Sequence, residues 1–162
     1  METQLINTIE KHYSDRDSYF MQLAIDQARA AAQINEVPVG AVIVMNDQVI
    51  ANGFNQPITT SDPSAHAEIV SLRAAALFIK NYRLVGSEIF TTLEPCAMCA
   101  GAILQARCKR VVFGAYDEKA GAAGSVVNLF SNQRLNHHTT IHGGISQQTC
   151  AKLLQDFFRA KR

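Results

Sequence analysis

Between Thr91 and Gly101 the chain reads Thr-Thr-Leu-Glu-Pro-Cys-Ala-Met-Cys-Ala-Gly, with Cys96 and Cys99 separated by two residues. An apolar, strand-like run from Glu88 to Leu93 leads into this stretch, and a small, helix-prone segment from Ala97 to Ala106 follows it. The pattern predicts a strand that ends, a proline that opens a helix, and two thiols on one face of its first turn. Residues three apart on a helix are neighbours. A helix N-terminus favours negative charge, so it favours thiolate over thiol. Two adjacent thiolates are good ligands for zinc. Alone, the spacing also fits a redox pair, half of a structural zinc site, or chance.

Upstream, Asp62-Pro63-Ser64-Ala65-His66-Ala67-Glu68 reads as the opening of another helix, Pro63 to about Ile79. Asp62 suits its N-cap and Pro63 its first position. His66 then stands near a helix start, as the cysteines do. Structural zinc sites normally close with four protein ligands. Three ligands leave a position for water, which is the catalytic arrangement. Glu68 can supply the general acid and base. Without the cysteines, Glu68 is equally well read as a helix-start acid interacting with the dipole.

H-x-E followed by P-C-x-x-C is the established signature of the zinc nucleobase deaminases. The chain resembles their bacterial tRNA-specific adenosine deaminase branch over nearly its whole length. The resemblance includes Val37 to Val42, Asp62 to Glu68, Asn81-Tyr82-Arg83-Leu84, Thr92 to Gly101, Arg110 to Gly114 and Gly121 to Ser125. The zinc motif fits any member of the superfamily. The Asn-Tyr-Arg-Leu and Gly-Ala-Ala-Gly-Ser segments narrow it to the tRNA branch.

With 162 residues, 48% hydrophobic and 18% charged, the chain suits one soluble domain spanning 1–162. No apolar run is long enough to span a membrane. Residues 1–17 read as a polar, mobile leader without the apolar core of a signal peptide. Four cysteines in a chain this long do not make a disulfide scaffold. Cys108 and Cys150 read as buried, reduced thiols, and the compartment as cytoplasm. A net charge of +1 does not argue for nucleic-acid binding. Local basic groups occur at Lys80 and Arg83, at Arg107, Lys109 and Arg110, and at Arg159, Lys161 and Arg162. The last is the best candidate for phosphate contact, because it ends an amphipathic helix.

The elements that must position the ligands are readable from periodicity. Asp17 or Ser18 can cap a first helix with Met21, Ala24, Ile25, Ala28, Ala31 and Ala32 on one face. Val39 to Met45 and Gln48 to Phe54 read as a hairpin about Asn46-Asp47. Asn55 to Ser61 is a loop, and Val126 to Phe130 is ambiguous. The order strand, helix, strand from Ile89 to Phe113 makes a parallel βαβ unit. Thr139 to His142 is a weak strand, and Ser146 can cap a last helix. The layout is α/β with a mixed sheet. The resemblance implies the cytidine-deaminase-like three-layer α/β/α sandwich with five strands.

The resemblance also implies one zinc per chain, held by His66, Cys96 and Cys99, with Glu68 carrying protons. Water attacks carbon 6 of adenine, ring nitrogen 1 is protonated, and ammonia leaves, so adenosine becomes inosine. The implied substrate is the wobble adenosine in the anticodon of an arginine tRNA, and the implied assembly is a homodimer. Asn55 is a turn residue by type; the resemblance makes it a substrate contact. Asp117 follows a strand whose end should lie near the pocket. Related enzymes place an acid there, and a carboxylate can accept from a 2′-hydroxyl. Tyr116, His12, His137, His138 and His142 receive no role; RNA contact at His137 and His138 is a minority reading. Competing functions are a deaminase of free guanine, cytosine or cytidine, a non-catalytic zinc module that binds nucleic acid, and a thiol redox protein.

Overall fold

The computed structural model describes residues 2–162, with side chains from residue 15 onward. The elements in chain order are α1 (Glu2–Gln33), β1 (Gly40–Met45), β2 (Gln48–Phe54), α2 (Pro57–Thr60), α3 (Ala67–Ile79), β3 (Glu88–Leu93), α4 (Ala97–Gln105), β4 (Arg110–Ala115), β5 (Thr140–Gly143) and α5 (Gln147–Ala160). They build a mixed five-stranded sheet in the order β2-β1-β3-β4-β5. β1 runs antiparallel to β2 and β3, whereas β3, β4 and β5 are parallel.

Strand alternation divides the core between the two faces of the sheet. Ala41, Ile43, Ile89, Val111 and Phe113 face Leu72 and Ala75 of α3 and Ile103 and Leu104 of α4. Val42, Val44, Phe90 and Val112 face Phe20, Met21, Ala24 and Ile25 of α1 and Cys150 of α5. The result is the expected α/β/α layering. The predicted hairpin forms, with Asn46 and Asp47 both in the left-handed region (φ 51° and 59°). That is the turn whose twist matches paired strands. At Gly40 the α1 backbone lies so close that a Cβ would run into the Ala24 carbonyl and the Ala28 amide. The βαβ unit β3-α4-β4 is parallel, as its order requires. Among the described residues no helix is long and apolar enough to cross a membrane.

Three local expectations are corrected. α1 does not start at Asp17 or Ser18 but runs continuously from Glu2. Asp17 is buried within it and accepts from Nη1 and Nη2 of Arg110 on its two carboxylate oxygens. Arg110 also reaches Glu88 at 2.9 Å, and Arg16 joins Glu88 to Asp47. The network ties α1 to the hairpin turn and to the starts of β3 and β4. Secondly, α3 starts at Ala67 rather than Pro63, with His66 at its N-cap. The Asp62 carboxylate instead accepts from the Ser64 amide and hydroxyl, closing a local turn. Thirdly, Ser146 occupies the N-cap of α5 but makes no side-chain capping bond, its backbone being left-handed (φ 54°). Asn55 to Ser61, read as a loop, contains the short α2.

Candidate metal centre and active site

Two helix starts deliver the ligands. His66 is the N-cap of α3 and Cys96 the N-cap of α4, both with extended backbone and no side-chain capping bond. Cys99 follows one turn into α4. A cap side chain ordinarily bends back onto the first free amides of its helix. Here both project away, towards each other. His66 Nδ1 lies 3.6 Å from Cys96 Sγ and 3.6 Å from Cys99 Sγ. The three donor atoms all lie within 4.8 Å of one another, and among the described residues no fourth histidine, cysteine or carboxylate joins the group.

This donor set fits zinc. Nitrogen at about 2.0 Å and sulfur at about 2.3 Å from a tetrahedral ion lie about 3.5 Å apart. The two observed nitrogen–sulfur separations meet that spacing, so the three side chains can coordinate a metal ion with one position left over.

The electrostatics agree. The Cys99 thiol donates to Cys96, and with the nearby imidazole this pulls the Cys96 thiol down to about 4. The same contact, together with burial and the neighbouring Glu68, holds the Cys99 proton tightly. The bond with Cys96 raises His66. One thiolate therefore forms readily, and the second requires an arriving cation to displace its proton.

Glu68, on the first turn of α3, is buried beside this cluster. Cys99 Sγ is 3.5 Å from its Oε2, and the buried Thr91 hydroxyl is 3.3 Å from its Oε1. Burial raises its pKa above the ordinary carboxylate value. A carboxyl group so placed is poised to take up and return a proton.

Asn55 is brought to the same place. Its Oδ1 accepts the Ala67 amide at 2.8 Å, supplying for α3 the capping bond that His66 does not make. Among the described residues no hydrogen bond uses its Nδ2. Asp117 stands in the loop after β4, where its Oδ1 accepts the amides of Lys119 and Ala120.

Sequence reasoning assigned nothing to Glu94, which lies two residues before Cys96 and is 1% exposed. Its Oε1 accepts the amides of Ala123 and Ser125, each at 3.0 Å, and its Oε2 accepts the Asp117 amide at 2.9 Å and the Ser125 hydroxyl. Burial opposes its charge, but these bonds outweigh it and lower the pKa. The Gly-Ala-Ala-Gly-Ser loop is thus wrapped around a carboxylate two residues from Cys96, a candidate metal ligand. Gly121 is required there, because a Cβ would collide with the Glu94 carboxylate. An acid directly before Pro-Cys, in an otherwise apolar strand end, was the available signal.

Residues 14–115 match the family described as the cytidine and deoxycytidylate deaminase zinc-binding region. The chain is 45% identical over 150 residues to the tRNA-specific adenosine deaminase of Haemophilus influenzae, covering 92% of this chain and 87% of that protein. A solved structure from studies of A-to-I editing by tRNA:A34 deaminases at the wobble position of transfer RNA superposes with a TM-score of 0.81 at 41% identity, covering 84% of this chain and 99% of that one. Guanine deaminase from Bacillus subtilis is similar over less, with a TM-score of 0.59, 38% identity, and coverage of 60% of this chain and 63% of that one. Signature, donor geometry, fold and near-full-length similarity agree: the chain belongs to the zinc-binding cytidine and deoxycytidylate deaminase family, in its bacterial tRNA-specific adenosine deaminase branch.

Proposed function

We propose that this chain hydrolyses the exocyclic amine of the wobble adenosine in a tRNA anticodon, that of an arginine tRNA, leaving inosine. The observation that carries the proposal is the three-donor cluster with the buried Glu68 carboxylate against it. His66, Cys96 and Cys99 would hold one zinc per chain, which would supply Lewis-acid activation of a water. Glu68 accepts the proton of the attacking water and passes it to ring nitrogen 1. It then takes the proton of the new C6 hydroxyl and delivers it to the departing amine, so water and adenine yield a C6 carbonyl and ammonia. Thr91 steadies the carboxylate between these transfers. The free Nδ2 of Asn55 donates to the substrate, and Asp117 accepts from a 2′-hydroxyl through its second oxygen.

The enzyme works as a cytoplasmic homodimer in this reading. Exposed Leu77 and Phe78 on α3, and exposed Met98 between the cysteines, support a partner on that side.

The test is incubation with an anticodon stem-loop, read by mass for the one-unit gain of adenosine to inosine, alongside zinc analysis. Glu68→Ala should keep about one zinc and bind the stem-loop, with turnover reduced by at least about a hundred- to ten-thousand-fold. Near-normal turnover would reject Glu68 as the proton carrier. Loss of zinc would make it a ligand, and ammonia release from free guanine or cytosine but not from RNA would replace the substrate.

A further inference from the structure

A second cationic site lies at the other end of α4. The sequence presents Arg83, Arg107 and His137 in three unconnected segments, each unremarkable on its own surface. The fold brings them around one groove of about 360 Å³, lined by Arg83, Val85, Arg107, Asn136 and His137. No acidic side chain lines it, and among the described residues neither arginine takes part in an ion pair.

The three groups are held in place. His137 Nε2 lies 2.9 Å from the Cys108 carbonyl and donates to it, which anchors the ring at the edge of the groove. Arg107 has a left-handed backbone (φ 63°) just past the end of α4, and its Nη1 lies 3.4 Å from Asn136 Oδ1. Arg83 lies over the Tyr82 ring, 5.5 Å from its centroid, and its Nε donates to the Tyr82 hydroxyl at 3.1 Å. Most of each guanidinium's donors therefore stay available. An arginine at a helix C-terminus by itself merely offsets the dipole. That does not account for Arg83 and His137, which lie on other segments.

We infer that this groove binds the phosphodiester backbone of RNA at a point remote from the reacting base; the inference rests on the tRNA reading above. Guanidinium forks recognise phosphate oxygens. The ring of Tyr82 is engaged by Arg83 and the amide oxygen of Asn136 by Arg107, which leaves little with which to read a base. Backbone contacts of this kind set the register of a nucleic acid without reading its sequence. The nine residues of α4 separate the groove from the cysteines by about 14 Å. A ligand that occupies both ends must extend well beyond one nucleotide, as a stem does and a free nucleoside does not.

The test uses the full-length protein, a tRNA transcript carrying adenosine at the first anticodon position, and a short oligonucleotide of the anticodon loop alone. Arg83→Gln combined with Arg107→Gln should weaken transcript binding at least about tenfold near 0.1 M salt. It should also lower the slope of log affinity against log salt by one to two, at about 0.9 for each phosphate no longer neutralised. Inosine formation from saturating loop oligonucleotide and zinc content should be unchanged. Arg107→Lys on the Arg83→Gln background should recover part of the salt slope, since a lysine remains a point charge. Unchanged transcript affinity and slope would overturn the inference. So would equal losses on transcript and short loop, because the arginines would then be supporting the catalytic end. Wild-type protein that forms no inosine on either RNA would fail the tRNA reading instead, and the wild-type transcript affinity and salt slope would record that separately.

Discussion

At the residue scale, the cluster that could hold a metal ion was legible because its chemistry is written in local spacing. His66, Cys96 and Cys99 needed only the inference that two helix starts meet. Glu94 was not legible, since its role depends on four donors from residues 117–125, which only the folded loop brings to it. Glu94→Gln puts an amide NH₂ group against amide donors and removes the charge they serve. Stability should fall by about 2 kcal/mol, the scale of hydrogen bonds to a charged group. The apparent KM for a stem-loop should rise several-fold, with zinc content and kcat at saturation maintained. A lowered melting temperature with unchanged KM would confine Glu94 to scaffolding. Asp117 presents a related choice, because one carboxylate oxygen is already spent on Lys119 and Ala120. If its other oxygen accepts a 2′-hydroxyl, Asp117→Asn should narrow the preference for RNA over DNA oligonucleotides. Parallel losses on both would make it a turn residue alone.

At the element scale, periodicity located the hairpin, the parallel unit and the two buried faces, because alternation and helical spacing are properties of short windows. Helix ends were read less well. The 62–68 segment looked capped at Asp62, yet Asp62 closes a turn with Ser64 and the helix waits for His66. Asp17 looked like a cap because nothing local reveals Arg110, 93 residues away. The pair is largely shielded, with side chains 5% and 14% exposed. Arg110→Ala takes both close bonds from Asp17, leaving it only Arg16 at 3.6 Å, while Glu88 keeps Arg16. Breaking a buried pair in this way costs about 3 kcal/mol. Chemical denaturation should register that loss, and a change below about 0.5 kcal/mol would show the network to be a solvated one.

For the whole molecule, the sheet separates two tasks. The candidate metal donors, Glu68 and Asn55 come from β2, α3 and α4 or the segments joining them, while α1 and α5 brace the opposite face. Exposed apolar side chains on the α3 side predict that the molecule sediments as a dimer at micromolar concentration. An active species of single-chain mass would count against it. Oligomeric state was not readable from composition, because scattered exposed hydrophobics are ordinary until the fold shows which ones share a side. The centre also governs how the two helices move. Both N-caps spend their side chains on the ligand cluster, and among the described residues only α3 has a side-chain substitute, the Asn55 oxygen on its first amide. The start of α4 is therefore the weaker hinge. In hydrogen–deuterium exchange, chelation should expose the amides after Cys96 sooner than those after His66, so fraying of a single helical turn reports whether the centre is filled.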